Sequence, residues 1–97
     1  MENKSSQNIK KETDCYKDTK LAVIAIVVEQ EESVRELNEL LHNYSRFILG
    51  RMGIPHRERG VSLISVAMDA PADIISALSG RLGRISGISA KVAYSKI

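Results

Sequence analysis

The chain has 97 residues and a balanced charge, 14 Lys and Arg against 12 Asp and Glu, for a net charge of +2. That length supports one domain, and the balance excludes nucleic-acid binding driven by overall charge. Hydrophobic residues make up 43% and aromatics 4%, with no Trp, so one modest core must be built from Ile, Val, Leu and Ala. A single cysteine, Cys15, rules out an internal disulfide and fits a reducing, cytoplasmic setting. No apolar run approaches the roughly 20 residues that span a bilayer, and the polar N-terminus lacks the apolar centre of a secretory signal.

Residues 1–19 are almost entirely polar, with isolated Ile9 and Tyr16. They bury too little to offset their ordering entropy and read as a flexible polar tail ahead of a domain over residues 20–97. Residues 21–28 are continuously apolar and β-branched, which predicts a central strand. Acidic residues 29, 31 and 32 then suit the positive end of a starting helix. Val34, Leu37, Leu41 and Tyr44 fall on one helical face, with Leu40 beside them, while Arg35, Glu36 and Glu39 point outward.

Residues 47–54 predict a second strand, and Gly50 and Gly53 within it predict a bulge or a close approach of other backbone. Pro55 is expected to end this strand, leaving residues 56–60 as the hairpin connection. Residues 61–68 predict a third strand, with Ile64, Val66 and Met68 on one face and Leu63, Ser65 and Ala67 on the other. Residues 69–71 are expected to start a second helix, whose buried stripe is Ile74, Ile75, Leu78, Leu82 and Ile85. Gly80 interrupts that helix, and tight helix–sheet contact would explain it; Gly83 or Gly87 ends it. A last strand over residues 88–94 turns Ile88, Ala90, Val92 and Tyr94 inward.

The order is βαββαβ, an α+β fold of the ferredoxin-like kind. Right-handed crossovers place both helices on one face of a four-stranded antiparallel sheet whose central strands are the first and third. The other face would then carry Leu21, Val23, Ala25, Val27, Leu63, Ser65 and Ala67. A contiguous apolar surface of this kind predicts a homo-oligomer, dimer or tetramer, that buries it.

The chain offers little for bond-making chemistry. His42 sits at a helix end and His56 in the hairpin, and neither has an evident nucleophile or acid–base partner. With Cys15 they match no compact metal-ligand spacing, so no metal and no cofactor are expected. The acidic loop after the first strand would repel a phosphate, and strands one and three lack the aromatics that stack RNA bases. Arg46, Arg51, Arg57 and Arg59 gather positive charge near the hairpin, which leaves contact with a nucleic-acid backbone open.

Residues 27–29, Leu37-Asn38-Glu39-Leu40-Leu41-His42-Asn43-Tyr44-Ser45, Ile48, Arg51, Gly53, Pro55, Arg57-Glu58 and Ala77-Leu78-Ser79-Gly80-Arg81-Leu82-Gly83-Arg84-Ile85-Ser86-Gly87-Ile88 together resemble the iron-only hydrogenase system regulators. These are small bacterial ACT-like proteins. The resemblance covers residues 20–96 and implies a ferredoxin-like fold, a regulatory role without catalysis, and oligomeric association. Residues 30–33 lack the glycine that amino-acid-binding ACT domains often use in this loop. The expected function is a cytoplasmic, non-enzymatic regulatory module that senses a small-molecule effector or a partner through homo-oligomer interfaces. Its polar binding candidates are His42, Asn43, Ser45, Arg51, Arg57 and Glu58. The alternatives are a protein-binding assembly factor for hydrogenase maturation and a DNA-binding regulator using the basic hairpin.

Overall fold

The computed structural model describes residues 18–97. The reading of residues 1–19 as a tail, with Cys15 in it, therefore lies outside the described residues except at its last two positions. Strand β1 (Lys20–Val28) leads through a 3-10 turn (Glu31–Ser33) into helix α1 (Val34–Asn43). A second 3-10 turn (Ser45–Phe47) enters β2 (Ile48–His56), and a third (Arg57–Arg59) joins it to β3 (Val61–Ala70). Helix α2 (Ala72–Gly83) and strand β4 (Ile88–Tyr94) complete the fold. The sheet order is β2-β3-β1-β4, all neighbours antiparallel, which is the ferredoxin-like arrangement with β1 and β3 central.

Register decides which side chains share a face. Ile24 lies between Val66 and Val92, and Ile26 between Ile64 and Ala90, so these point toward the helices. Val66, Ile24 and Ile26 are at most 1% exposed. Leu37 and Leu41 of α1 and Ile75, Leu78 and Leu82 of α2 close the core from above. Each of these buried aliphatic side chains contributes roughly 1.5–3 kcal/mol against leaving it in water. Val34, Leu40, Tyr44 and Ile74 pack at the margins of the core, as their position beside the buried stripes requires.

Four local expectations change. Pro55 does not end β2, which runs on to His56; an edge strand leaves every second N–H without a sheet partner, so it accommodates a proline. Asp69 and Ala70 belong to β3, not to α2, because they pair with Leu21 and Lys20. Pro71 is instead the extended residue immediately before α2, whose first turn closes on its carbonyl oxygen. Gly80 is exposed, and a Cβ there would meet nothing within 4 Å, so no tight helix–sheet contact explains it. Tyr94 pairs with Ala22 but is 47% exposed, because it ends an edge strand beyond the reach of the helices. The bulge expected near Gly50 is present: Ile48 and Gly50 pair with the consecutive residues Met68 and Ala67, leaving Leu49 as the extra residue.

Candidate functional site

Helix α1 does not cover the whole hairpin beneath it. Residues 49–56 of β2 are all exposed, and the end of the hairpin stands clear of the helix. An open groove of about 1380 Å³ results. One wall is the polar stripe of α1, Arg35, Asn38, Glu39 and His42, spaced i, i+3, i+4 and i+7 so that they share one side of the helix. The other wall is the end of the hairpin, chiefly Pro55, His56, Arg57 and Ser62. Val28, Val34 and Val61 add apolar surface between the walls.

Of the polar candidates named from sequence, His42, Asn43 and Arg57 line this groove. Ser45 and Arg51 line a smaller depression of about 360 Å³ next to it, together with Leu41 and Ile48. Asn38 and His42 border both. The boundary between them is a hydrogen bond in which Arg51 Nη2 donates to Asn38 Oδ1 at 3.0 Å, tying β2 to α1. Glu58 lines neither cavity; it sits in the 3-10 turn at the hairpin end. Sequence reasoning missed Arg35, Asn38, Glu39 and His56 as groove residues. The i, i+3, i+4, i+7 spacing of polar side chains on α1 was the available signal for the first three. Arg35 Nε and Glu39 Oε2 approach to 4.0 Å with both side chains largely exposed, a pairing that contributes little and leaves both groups free to be recruited. Among the described residues, no cluster of three or more His, Cys, Asp or Glu side chains suits a metal ion.

A family model described as "Iron-only hydrogenase system regulator, putative", the TM1266-like family, matches residues 20–92. The chain belongs to the TM1266-like family. The solved structure of uncharacterized protein TM1266 from Thermotoga maritima is 42% identical to this TM1266-like chain, with a TM-score of 0.77. That match covers 80% of this chain and 99% of the other. A formyltetrahydrofolate deformylase from Pseudomonas putida KT2440 matches at 17% identity and a TM-score of 0.52, over 78% of this chain and 28% of that one. This second likeness is one of fold. A comparison with curated proteins finds no match.

In this TM1266-like domain the loop after β1 is held shut by the turn before β4. Ser33, one of the few polar residues in the interior, donates its hydroxyl to the carbonyl oxygen of Ser86 at 2.6 Å. Ser86 Oγ donates to Gln30 Oε1 at 3.1 Å, and the Glu29 amide donates to the Gly87 carbonyl at 2.7 Å. Gly87 has φ +76°, and a Cβ on it would lie 2.6 Å from Gln30 Cγ. The Ile-Ser-Gly segment of residues 85–87 thus serves as a structural clasp.

The opposite face of the sheet carries the seven residues named for oligomer contact. Leu21, Val23, Ala25, Leu63 and Ser65 are exposed, and Val27 and Ala67 are half-buried. Register adds Met52 and Ile54 of β2 to the same face, 65% and 58% exposed. No helix among the described residues is long and apolar enough to cross a membrane.

Proposed function

We propose that this chain is a non-enzymatic, cytoplasmic regulatory module of the iron-only hydrogenase system that self-associates through its bare sheet face and takes an effector in the groove between α1 and the hairpin. The observation that carries this reading is the convergence of amide, imidazole and guanidinium groups from two separate elements. Asn38, His42 and Asn43 come from α1, and His56 and Arg57 from the hairpin end, with valine side chains between them. Such a mixture suits recognition by hydrogen bonding over an apolar base. The hairpin presents one side to the groove and the other to the bare face. An occupant that braces α1 against the hairpin therefore shifts the balance between assembly states, provided it prefers one of them.

The test is a thermal-shift series with amino acids, nucleotides and divalent metals on the full chain and on His42→Ala. A genuine effector at 100 times its Kd stabilises by about 2.7 kcal/mol, and the gain should vanish in the variant. No shift with any compound at saturation overturns the small-molecule form of the proposal.

The size of the groove favours a second reading. Small-molecule sites usually enclose about 300–1,000 Å³, and this open groove reaches about 1380 Å³. A protein-binding assembly factor would place a polypeptide segment there, and it predicts a His42-dependent complex with a hydrogenase maturation protein. The DNA-binding reading has less to stand on. Arg46 lies over the Phe47 ring at 5.2 Å and Arg51 is bonded to Asn38, leaving Arg57 and Arg59 as its main cations. It predicts affinity that falls steeply with salt.

A further inference from the structure

Cross-strand register arranges the bare sheet face in rows. One row reads Ile54, Leu63, Val27 and Ser89; the next reads Met52, Ser65, Ala25 and Lys91; the third reads Gly50, Ala67, Val23 and Ala93. The first row is a ridge of three branched side chains. The third is a shallow valley with glycine and alanine at three of its four positions.

Among the described residues, nothing requires Gly50 to be glycine. Its φ is not positive, so neither the backbone nor the neighbouring bulge demands it. A Cβ built on it would meet nothing within 4 Å. Glycine in the interior of a strand weakens that strand, and the usual compensation is the close approach of another backbone or ligand.

We propose that the approaching surface is the same face of a second copy, related by a two-fold axis that lies in the interface, perpendicular to the strands, along the middle row. This rests on the self-association reading above and adds its register. The axis sets the ridge of each copy over the valley of the other, with Ile54 over Gly50, Leu63 over Ala67, Val27 over Val23 and Ser89 over Ala93, so the closest fit is at the β2 and β3 end of the rows. Met52, Ser65, Ala25 and Lys91 each meet their own counterpart on the axis, and the small Ser65 and Ala25 at its centre let the sheets close there. The two Lys91 side chains face each other at the rim on the edge strand β4, where water and salt screen their repulsion. The contact is isologous and closes after two copies. Leu21, Val23, Met52, Ile54 and Leu63 are between 38% and 65% exposed. They present an apolar patch on the order of 500 Å², at the limit of what a soluble monomer leaves bare. Two such patches remove on the order of 1,000 Å², the lower threshold for a specific interface.

The test is sedimentation velocity of the full chain over a concentration series, with circular dichroism to confirm folding. Wild type sediments as a dimer or a multiple of it. Gly50→Val, which the isolated protomer has room for, weakens the association by about 100-fold while the spectrum stays native. Adding Ile54→Ala to it trims the residue that meets the new side chain and restores at least about 10-fold. Should Gly50→Val misfold, the exposed Ser65→Leu substitution on the axis must dissociate the pair in its place. A wild-type oligomer indifferent to Gly50→Val, or to Ser65→Leu, overturns the face as the contact and leaves self-association standing. Dissociation by Gly50→Val without rescue by Ile54→Ala overturns the register. A wild type that is monomeric at every concentration overturns self-association and this inference together.

Discussion

Gly87→Ala measures how firmly the clasp between the β1–α1 loop and the β4 turn is set. Two separate penalties arise there. At φ +76° an alanine occupies the left-handed region, which costs a residue with a Cβ about 1–2 kcal/mol. The new methyl also falls 2.6 Å from Gln30 Cγ and 2.9 Å from Gln30 Cβ. Rotation of the Gln30 side chain relieves the first contact but not the second, so the backbone of the loop must move. That movement breaks the Ser86–Gln30 hydrogen bond and strains the bond from the Glu29 amide to the Gly87 carbonyl. Each exposed or half-exposed hydrogen bond contributes about 0.5–1.5 kcal/mol. The sum is a loss of about 2–4 kcal/mol. For a domain of this size each kcal/mol moves Tm by roughly 4–8 °C, so the melting temperature should fall by roughly 8–32 °C. Urea unfolding followed by circular dichroism, at one fixed protomer concentration because the proposed association would shift apparent stability, supplies the free energy. The double variant Gly87→Ala with Gln30→Gly removes the collision; because Gln30→Gly alone also removes the acceptor of the Ser86 hydroxyl, the φ penalty of about 1–2 kcal/mol is read as the difference between the double variant and Gln30→Gly alone. A Gly87→Ala protein that melts with wild type would refute both the positive φ and the packing of Gln30 against it.

Two further outcomes follow from the same geometry. Gly80→Ala, on an exposed face of α2 with free space at the Cβ position, should stabilise the fold by about 0.5–1 kcal/mol through helix propensity alone, read as a raised urea midpoint with unchanged m-value. Ser33→Ala removes the buried hydroxyl that reaches the carbonyl of the exposed Ser86 at 2.6 Å, so equilibrium unfolding should show a loss of about 0.5–1.5 kcal/mol.

The strands and helices were legible because their apolar periods were strong. Residues 21–28 read as a central strand, and β1 does sit between β3 and β4 with Ala22, Ile24, Ile26 and Val28 all buried. The same run was apolar on its alternate positions, and the structure leaves Leu21 and Val23 exposed. The sequence pattern of a strand covered on both faces therefore persists in a protomer covered on one. The misread positions were those decided by neighbours and not by local preference. Pro55 continues β2 because that strand has one partner only, a fact about sheet order. Gly80 looked like a packing glycine because it lies in an apolar helix, yet the helix turns it outward.

The candidate site was half legible for a related physical reason. His42, Asn43 and Arg57 were singled out as polar groups flanking an apolar helix and a turn, and the groove does gather them. Asn38 and His56 were passed over because their place depends on how far the hairpin runs past the helix. That length became fixed only when β2 proceeded through Pro55 to pair His56 with Val61. A strand ending at Pro55 would have shortened the groove wall and moved Arg57 toward the body of the sheet. The extension that local preference disfavours is thus the feature that creates the groove, and it also lengthens the outer face on which Ile54 and Leu63 lie side by side. One structural choice serves both surfaces. On the function proposed above, an occupant of the groove and a second copy on the bare face would therefore act on the same hairpin, and coupling between them would need no longer path through the protein.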